Sequence, residues 1–366
     1  MSFTEQKRAE IEKYMLRKIA IDDEKLIEKT MDSFGISITS AKRYLKKMTD
    51  EGNVVKQADR ACGYGLFEET FEECVKIDES GQQEDEIYDR LLRERLSGCG
   101  KNARRIWQYV CVEMLNNALE HSRGTQIRMI VRKNILYTTV LIVDDGAGVF
   151  RTLVEYMAGH GWNEPDEKDA LVELYKGKIT SAASAHSGEG IFFSSKAVDT
   201  FAIWSGGKMY KCYGGREHTV LESRLLAYAS RFQNIGTLVM MTLENETARD
   251  LAEVFDVYAD VDEGLIRTRI PIREACISGE PVARSQARRI CRRLEEFKEV
   301  ILDFDGVEFM GQGFADEIFR VFAVASPGVL LCPVHMEKEV YRMIRHVGRG
   351  QLAANVRLEA DGMSGA

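Results

Sequence analysis

Three short polar boxes, each bracketed by apolar runs of different period, constrain this chain more than any other feature. The first lies in WQYVCVEMLNNALEHS, within a segment predicted to be helical from Lys101 to His121. There Ile106, Val110, Met114 and Ala118 recur every four residues and predict a buried stripe. Glu113, Asn117 and His121 form a second four-residue series on another face of the same helix. The helix therefore offers a carboxylate and an amide one turn apart. An amide oxygen is a hard ligand suited to Mg²⁺, and a carboxylate can orient or deprotonate a nucleophile. Surface helices often carry such pairs, so this box alone decides little.

The second box closes a pair of predicted strands, Gln126–Arg132 and Tyr137–Val143, joined by a turn at Lys133–Asn134. It reads Asp144-Asp145-Gly146-Ala147-Gly148. Glycines there let the backbone approach a flat ligand, and Asp144 can accept a hydrogen bond from an exocyclic amine. A long polar stretch follows, from Met157 to Ala185, and leads to the third box, His186-Ser187-Gly188-Glu189-Gly190-Ile191-Phe192. Glycines opening a helix present bare N–H groups to an anion, which makes this a candidate phosphate site. A further strand is expected at Gly236–Met241.

In this order the boxes resemble the N, G1 and G2 boxes of the GHKL ATP-binding superfamily, which includes gyrase, histidine kinases and anti-sigma-factor serine kinases. The resemblance covers roughly residues 90–250, and E-x-x-x-N-A-x-x-H is closest to the serine kinases. It implies a Bergerat α/β sandwich binding ATP and Mg²⁺. Asn117 would be the metal ligand and Glu113 the general base, with Asp144 holding adenine beside Gly146 and Gly148. Ser187, Gly188 and Gly190 fall at the phosphate-contacting end of a mobile lid, and Thr237 falls at the adenine pocket. From charge and position, Lys176 or Lys178 is expected to reach the γ-phosphate.

The first 66 residues read as two helices, a turn at Gly35, a third helix capped by Ser37, and a hairpin around Gly63 and Gly65. That order, with GISITSAKRYLKKMTDEGNVV, resembles a winged helix-turn-helix of bacterial regulators. Lys42, Arg43, Lys46 and Lys47 project from the third helix toward expected DNA phosphates, and Thr39 or Ser40 toward base edges. A protein-docking winged helix with solvated lysines is the alternative.

Residues 68–100 are acidic and then mixed, and are expected to form a linker and a leading helix. Beyond Glu263-Gly264 the pattern becomes β-α-β-α-β-α, a small layered domain over 264–350. Its string VILDFDGVEFMGQGFADEIFRVF resembles a STAS domain and the STAS-like domain of unknown function. Where anti-sigma antagonists carry a phosphorylatable serine, this chain has Gly311-Gln312-Gly313, so the resemblance brings no acceptor hydroxyl. Arg284, Arg288, Arg289, Arg292 and Arg293 form a stripe that is either a solvated face or a dock for an anionic partner. Residues 351–366 are expected to be a loose tail.

Composition fits this α+β multidomain reading, with domains at 1–67, 101–255 and 264–350. At about 100–200 residues per domain, 366 residues that are 45% hydrophobic allow two or three cores. The net charge of −8 argues against wholesale coating of nucleic acid or anionic lipid and leaves room for a local basic patch. Neither the start MSFTEQKRAE nor the run Val321 to Val334 makes a signal core or a membrane span. Eight scattered cysteines without C-x-x-C read as reduced thiols, and the expected location is cytoplasmic.

The function expected is a regulatory switch in which the nucleotide state of the central domain controls DNA or protein-partner binding. A serine/threonine kinase of the anti-sigma type is the alternative, because Glu113 permits hydrolysis or phosphoryl transfer. No histidine lies in an H-E-x-x-x-P-like helix before the ATP domain, which disfavours a sensor histidine kinase.

Overall fold

A computed structural model describes residues 4–77, 82–179, 189–213, 225–232, 234–276, 279–349 and 351–358. The N-terminal unit follows its capping chemistry. Thr4 caps α1 (Glu5–Ala20), its Oγ1 accepting from Lys7 N–H at 3.3 Å. Helix α2 (Leu26–Phe34) ends at Gly35, whose φ of +62° suits a residue without a Cβ. Ser37 caps α3 (Ile38–Asp50) by accepting from Ser40 N–H at 3.2 Å. Strands β1 (Val54–Lys56) and β2 (Tyr64–Leu66) then pair antiparallel. Ile11, Met15, Ile19, Ala41, Leu45 and Met48 belong to the buried core of this unit.

The central unit is built on a six-stranded antiparallel sheet. Its strands are β3 (Glu69–Lys76), β4 (Gln126–Lys133), β5 (Tyr137–Asp144), β6 (Thr200–Ser205), β7 (Lys208–Tyr213) and β8 (Leu238–Glu244), in the order β3-β4-β5-β8-β6-β7. Strands β4 and β5 read as continuous apolar runs because both faces are covered. Met129, Val131, Val140 and Ile142 join the main core, in which the stripe of the long helix also lies. Ile130, Leu141 and Val143 pack on the opposite face with Leu225 and Tyr228.

Two short helices, α4 (Glu84–Leu91) and α5 (Arg93–Leu96), precede the long α6 (Lys101–His121). The region expected to be a linker is therefore corrected. Residues 69–76 form an edge strand, and Ile87, Tyr88, Leu92 and Leu96 are fully built into the core. The edge strand escaped notice because only Val75 of its eight residues is buried. Acids in and just before it are used in place: Glu72 meets Arg128 at 2.8 Å, and Glu68 pairs with Arg132. Helices α7 (Val149–Gly159), α8 (Glu167–Lys176) and α9 (Gly190–Ala197) complete the layer beside α6. The pair β6–β7 had no counterpart in the sequence reading.

Helix α10 (Leu251–Tyr258) and a two-residue hairpin, β9 (Ala259–Asp260) with β10 (Gly264–Leu265), lead to the C-terminal unit. Here β11 (Arg267–Pro271), β12 (Glu299–Asp303) and β13 (Leu330–Val334) form a parallel sheet. The connecting helices are α11 (Ile272–Ala275), α12 (Arg284–Cys291) and α13 (Gln312–Asp316), the last continuing as a π-helical turn over Glu317–Phe322. Helix α14 (Lys338–Val347) follows β13. The core of this unit is continuous with that of the central one.

The tail is also corrected up to residue 358. Leu331 N–H donates to Asn355 O at 2.8 Å and Arg357 N–H to Leu331 O at 2.9 Å, so the segment lines the edge of β13. The Asn355 amide donates toward Ala323 O, Ser326 O and Val329 O at 2.9–3.1 Å. Asn355→Ala is expected to destabilise the C-terminal unit by about 2 kcal/mol, read as a lower denaturant midpoint, because those carbonyls lose their donor.

All eight cysteines are free. Among the described residues, no helix is long and apolar enough to cross a membrane.

Candidate functional site

Helix α6 sets one wall of a partly open cavity of about 180 Å³. Ile106, Val110, Met114 and Ala118 are buried, as the four-residue stripe predicts. That orientation turns Glu113, Asn117 and His121 together to the cavity, half-buried. Apolar walls come from Ile142, Leu153, Ile203 and Val239, and from Leu174 and Ile179 in and after α8.

Asp144 ends β5 and is 5% exposed. Its Oδ1 accepts from Gly146 N–H at 2.9 Å and from Thr237 N–H at 3.2 Å. Burial raises the pKa of the carboxyl, against these hydrogen bonds, which lower it. The neighbouring carboxylate does different work. Asp145 Oδ1 accepts from Thr125 N–H at 2.7 Å and Gln126 N–H at 3.1 Å, and its Oδ2 from the Thr125 hydroxyl at 2.6 Å. Burial alone would raise Asp145, but these donors hold it below the ordinary range. Successive side chains at a strand end point opposite ways, so one aspartate faces the cavity and the other staples β4 to β5.

The glycines act by letting backbones approach. A Cβ on Gly146 would collide with the Ser122 carbonyl, and one on Gly236 with Asp144 Oδ1 and, at 2.5 Å, with Gly146 N. Gly148, at φ +91°, lies where a Cβ would meet Ser205 Oγ at 2.5 Å. Gly146 and Gly148 thus shape the wall, while Thr237 and Gly190 line the cavity itself. Gly190 opens α9 directly against Glu113, whose Oε2 occupies the place a Cβ would take. Ser122 and Ser205 were missed from sequence, because each works through a neighbour remote in the chain.

Glu113, Asn117, Asp144, Gly190 and Thr237 are therefore brought to one cavity. Ser187 and Gly188 lie outside the described residues. Lys176 and Lys178 are corrected: neither reaches the cavity. Lys176, 1% exposed, donates to Glu173 Oε1 at 2.6 Å and to Arg292 O. Burial lowers its pKa while Glu173 opposes the shift. Lys178 donates to Glu296 O at 2.9 Å, with its ammonium 4.7 Å from the Phe297 ring centroid. Apolar Leu174 and Ile179 take the cavity side of this segment, so both lysines turn to the C-terminal unit.

The arginine stripe turns out to dock on the chain itself. Arg289 and Arg292 meet Asp169 of α8 at 2.9 and 3.4 Å, and Arg293 meets Glu173 at 3.1 Å. Arg284 and Arg288 pair instead with Glu317, at 2.7 and 3.1 Å. Asp169 and Glu173 are 6% and 2% exposed, so the stripe neutralises acids that α8 has buried. One helix thereby contributes Leu174 to the cavity and its charged face to the C-terminal unit.

On α3, Thr39, Lys42, Arg43 and Lys46 are exposed. Lys47 is exposed too but pairs with Glu12 at 2.7 Å, and the Ser40 hydroxyl accepts from Ser37 Oγ at 3.1 Å. Both are already used in holding α3 in place.

Residues 286–340 match the family described as STAS-like domain of unknown function (DUF4325). No curated protein and no solved structure matches the chain. The protein is thus of mixed α/β structure and carries a C-terminal STAS-like domain.

Proposed function

We propose that this protein binds ATP and Mg²⁺ in a GHKL-type central domain, and that nucleotide state controls what its two flanking units bind. The observation that carries the reading is the convergence of Asp144, Thr237, Glu113 and Asn117 on one cavity, from the end of β5, the residue before β8, and α6. Asp144 would accept from the exocyclic amine of adenine, its lone pairs oriented by the Gly146 and Thr237 amides. The apolar walls suit a flat base. A volume of about 180 Å³ is below the 300–1,000 Å³ of sites that enclose a whole small molecule, so the cavity fits the base, with phosphates outside it.

The residues present also fit a metal held mainly by the nucleotide. Among the described residues no three His, Cys, Asp or Glu side chains cluster as a metal cage. Asn117 and Glu113 offer two hard oxygen donors on successive turns, which is what Mg²⁺ takes when phosphates and water supply the rest. The metal would neutralise phosphate charge there, while Glu113 orients or deprotonates a nucleophile.

The switch follows from α8. Ligand contact at Leu174 and Ile179 would bias the same helix that holds Arg289, Arg292 and Arg293. The N-terminal unit, read as a winged helix, meets the central one through Lys13 and Arg17, at 3.2 and 2.8 Å from Glu244. Its exposed Lys42, Arg43 and Lys46 would meet double-stranded DNA phosphates, and the STAS-like unit would meet a protein partner.

A second reading, a serine/threonine kinase acting in trans, is favoured by the carboxylate of Glu113 lying against Gly190. One experiment tests both: ATP and ADP affinity, turnover and label transfer for wild type and Glu113→Ala. Binding retained with turnover lost is expected for an ATPase or kinase, and transfer to a polypeptide selects the kinase. Binding without turnover in either protein marks a pure sensor. Absence of ATP binding by the wild type would remove the proposal.

A further inference from the structure

The strand ends of the C-terminal sheet open onto a second cavity of about 620 Å³, within the range of small-molecule sites. Strands β11, β12 and β13 are parallel, so their carboxyl ends share one edge, where ligand crevices of open α/β sheets form. They deliver Pro271, Asp303 and, one residue past β13, His335. The facing wall comes from the central unit: Lys196 of α9, Lys211 and Cys212 of β7, and Val254 and Tyr258 of α10. The crevice is complete only because the two units are docked.

Most of its charges are already matched. Asp303 takes Arg269 Nη2 at 2.7 Å and His335 Nδ1 at 2.8 Å, the latter from a residue in the left-handed region at φ +51°. Lys211 meets Glu274 at 3.2 Å, and Arg249 meets Asp199 at 3.0 Å. Among the described residues, two cations, Lys196 and Arg273, lack a carboxylate within ion-pair distance. Lys196 also lies 5.1 Å from the Phe192 ring centroid. The half-buried Lys196 ammonium donates to the Cys212 thiol at 3.4 Å, a weak acceptor for a group with three N–H donors. Val198, Val254, Val257 and Pro271 add apolar wall. Asp250, Glu253 and Asp305 also line the crevice, which repels a polyanion such as a nucleic acid strand.

We propose that this crevice binds a small organic oxyanion. Lys196 anchors its charged head, Arg273 is the second cation, and the valines take its apolar body. The inference is independent of the nucleotide reading. Phenyl phosphate and benzoate, each against inorganic phosphate, are the probes for the full-length protein, with titration calorimetry and the alkylation rate of Cys212 as readouts. One of the two aromatic oxyanions is expected to bind saturably and to slow Cys212 alkylation, and which one does so identifies the head group. Lys196→Met, which keeps an unbranched stem, and Arg273→Ala should each weaken binding about tenfold, while Glu113→Ala leaves it unchanged. Failure of both probes to saturate, binding that leaves Cys212 unprotected, or binding indifferent to both substitutions would overturn the proposal.

Discussion

Asp144→Asn is expected to weaken ATP binding by about 10–100-fold while leaving the melting temperature unchanged or higher. The two effects separate because they use different properties of the carboxylate. An amide oxygen can still accept from the Gly146 and Thr237 amides, so the wall keeps its shape. The substituted NH₂ presents hydrogens where the adenine amine needs an acceptor. On stability, burial raises the pKa of Asp144 in the fold. Such a carboxyl contributes stability below its unfolded pKa, and that contribution is lost as pH rises through the folded value. At neutral pH the buried charge is therefore a cost that asparagine removes. The same shift fixes the pH dependence: ATP affinity should fall on acidification at a higher pH than an exposed aspartate would set. Calorimetry and thermal melts on one preparation check all three statements. An Asp144→Asn protein that is folded and binds ATP like the wild type would end the nucleotide reading.

Glu173→Ala should produce the largest loss of stability, about 3–5 kcal/mol. Glu173 is 2% exposed and partners Lys176, itself 1% exposed, and Arg293. Removing it leaves an ammonium in the interior with only the carbonyls of Arg292 and Arg289 to meet it. The double variant Glu173→Met/Lys176→Met should recover much of the loss, because an apolar pair removes both desolvation costs together. Denaturant midpoints of the three proteins decide this. Equal midpoints for Glu173→Ala and wild type would show that α8 is not held by this charge cluster. In the nucleotide reading, the double variant should also weaken the coupling of ATP to the C-terminal unit, since only packing and the Asp169 pairs with Arg289 and Arg292 would still join α8 to that unit.

Local patterns carried much of the fold. The caps at Thr4 and Ser37, the stop at Gly35 and the four-residue stripe of α6 each depend on neighbours within a turn. The three strands of the C-terminal sheet were legible because hydrophobic strands alternate with helices there, and the structure adds that they run parallel. Edge strand β3 was not, since a strand with one buried side chain leaves no alternation to read. The segment 351–358 was not either, because it is ordered by β13 and by the three carbonyls around Asn355.

By itself, then, the sequence determined the helix that carries Glu113 and Asn117, the strand that ends in Asp144, and the layered C-terminal pattern matched by the STAS-like family over 286–340. Only the tertiary structure decided where the charges went. It turned Asp144 inward and Asp145 to Thr125, and it took Lys176 and Lys178 away from the cavity. It also spent Arg289, Arg292 and Arg293 on acids more than a hundred residues earlier. The reason is physical. Backbone periodicity is set by near neighbours, whereas a long charged side chain goes to whichever partner the packing of distant elements places within about 3 Å.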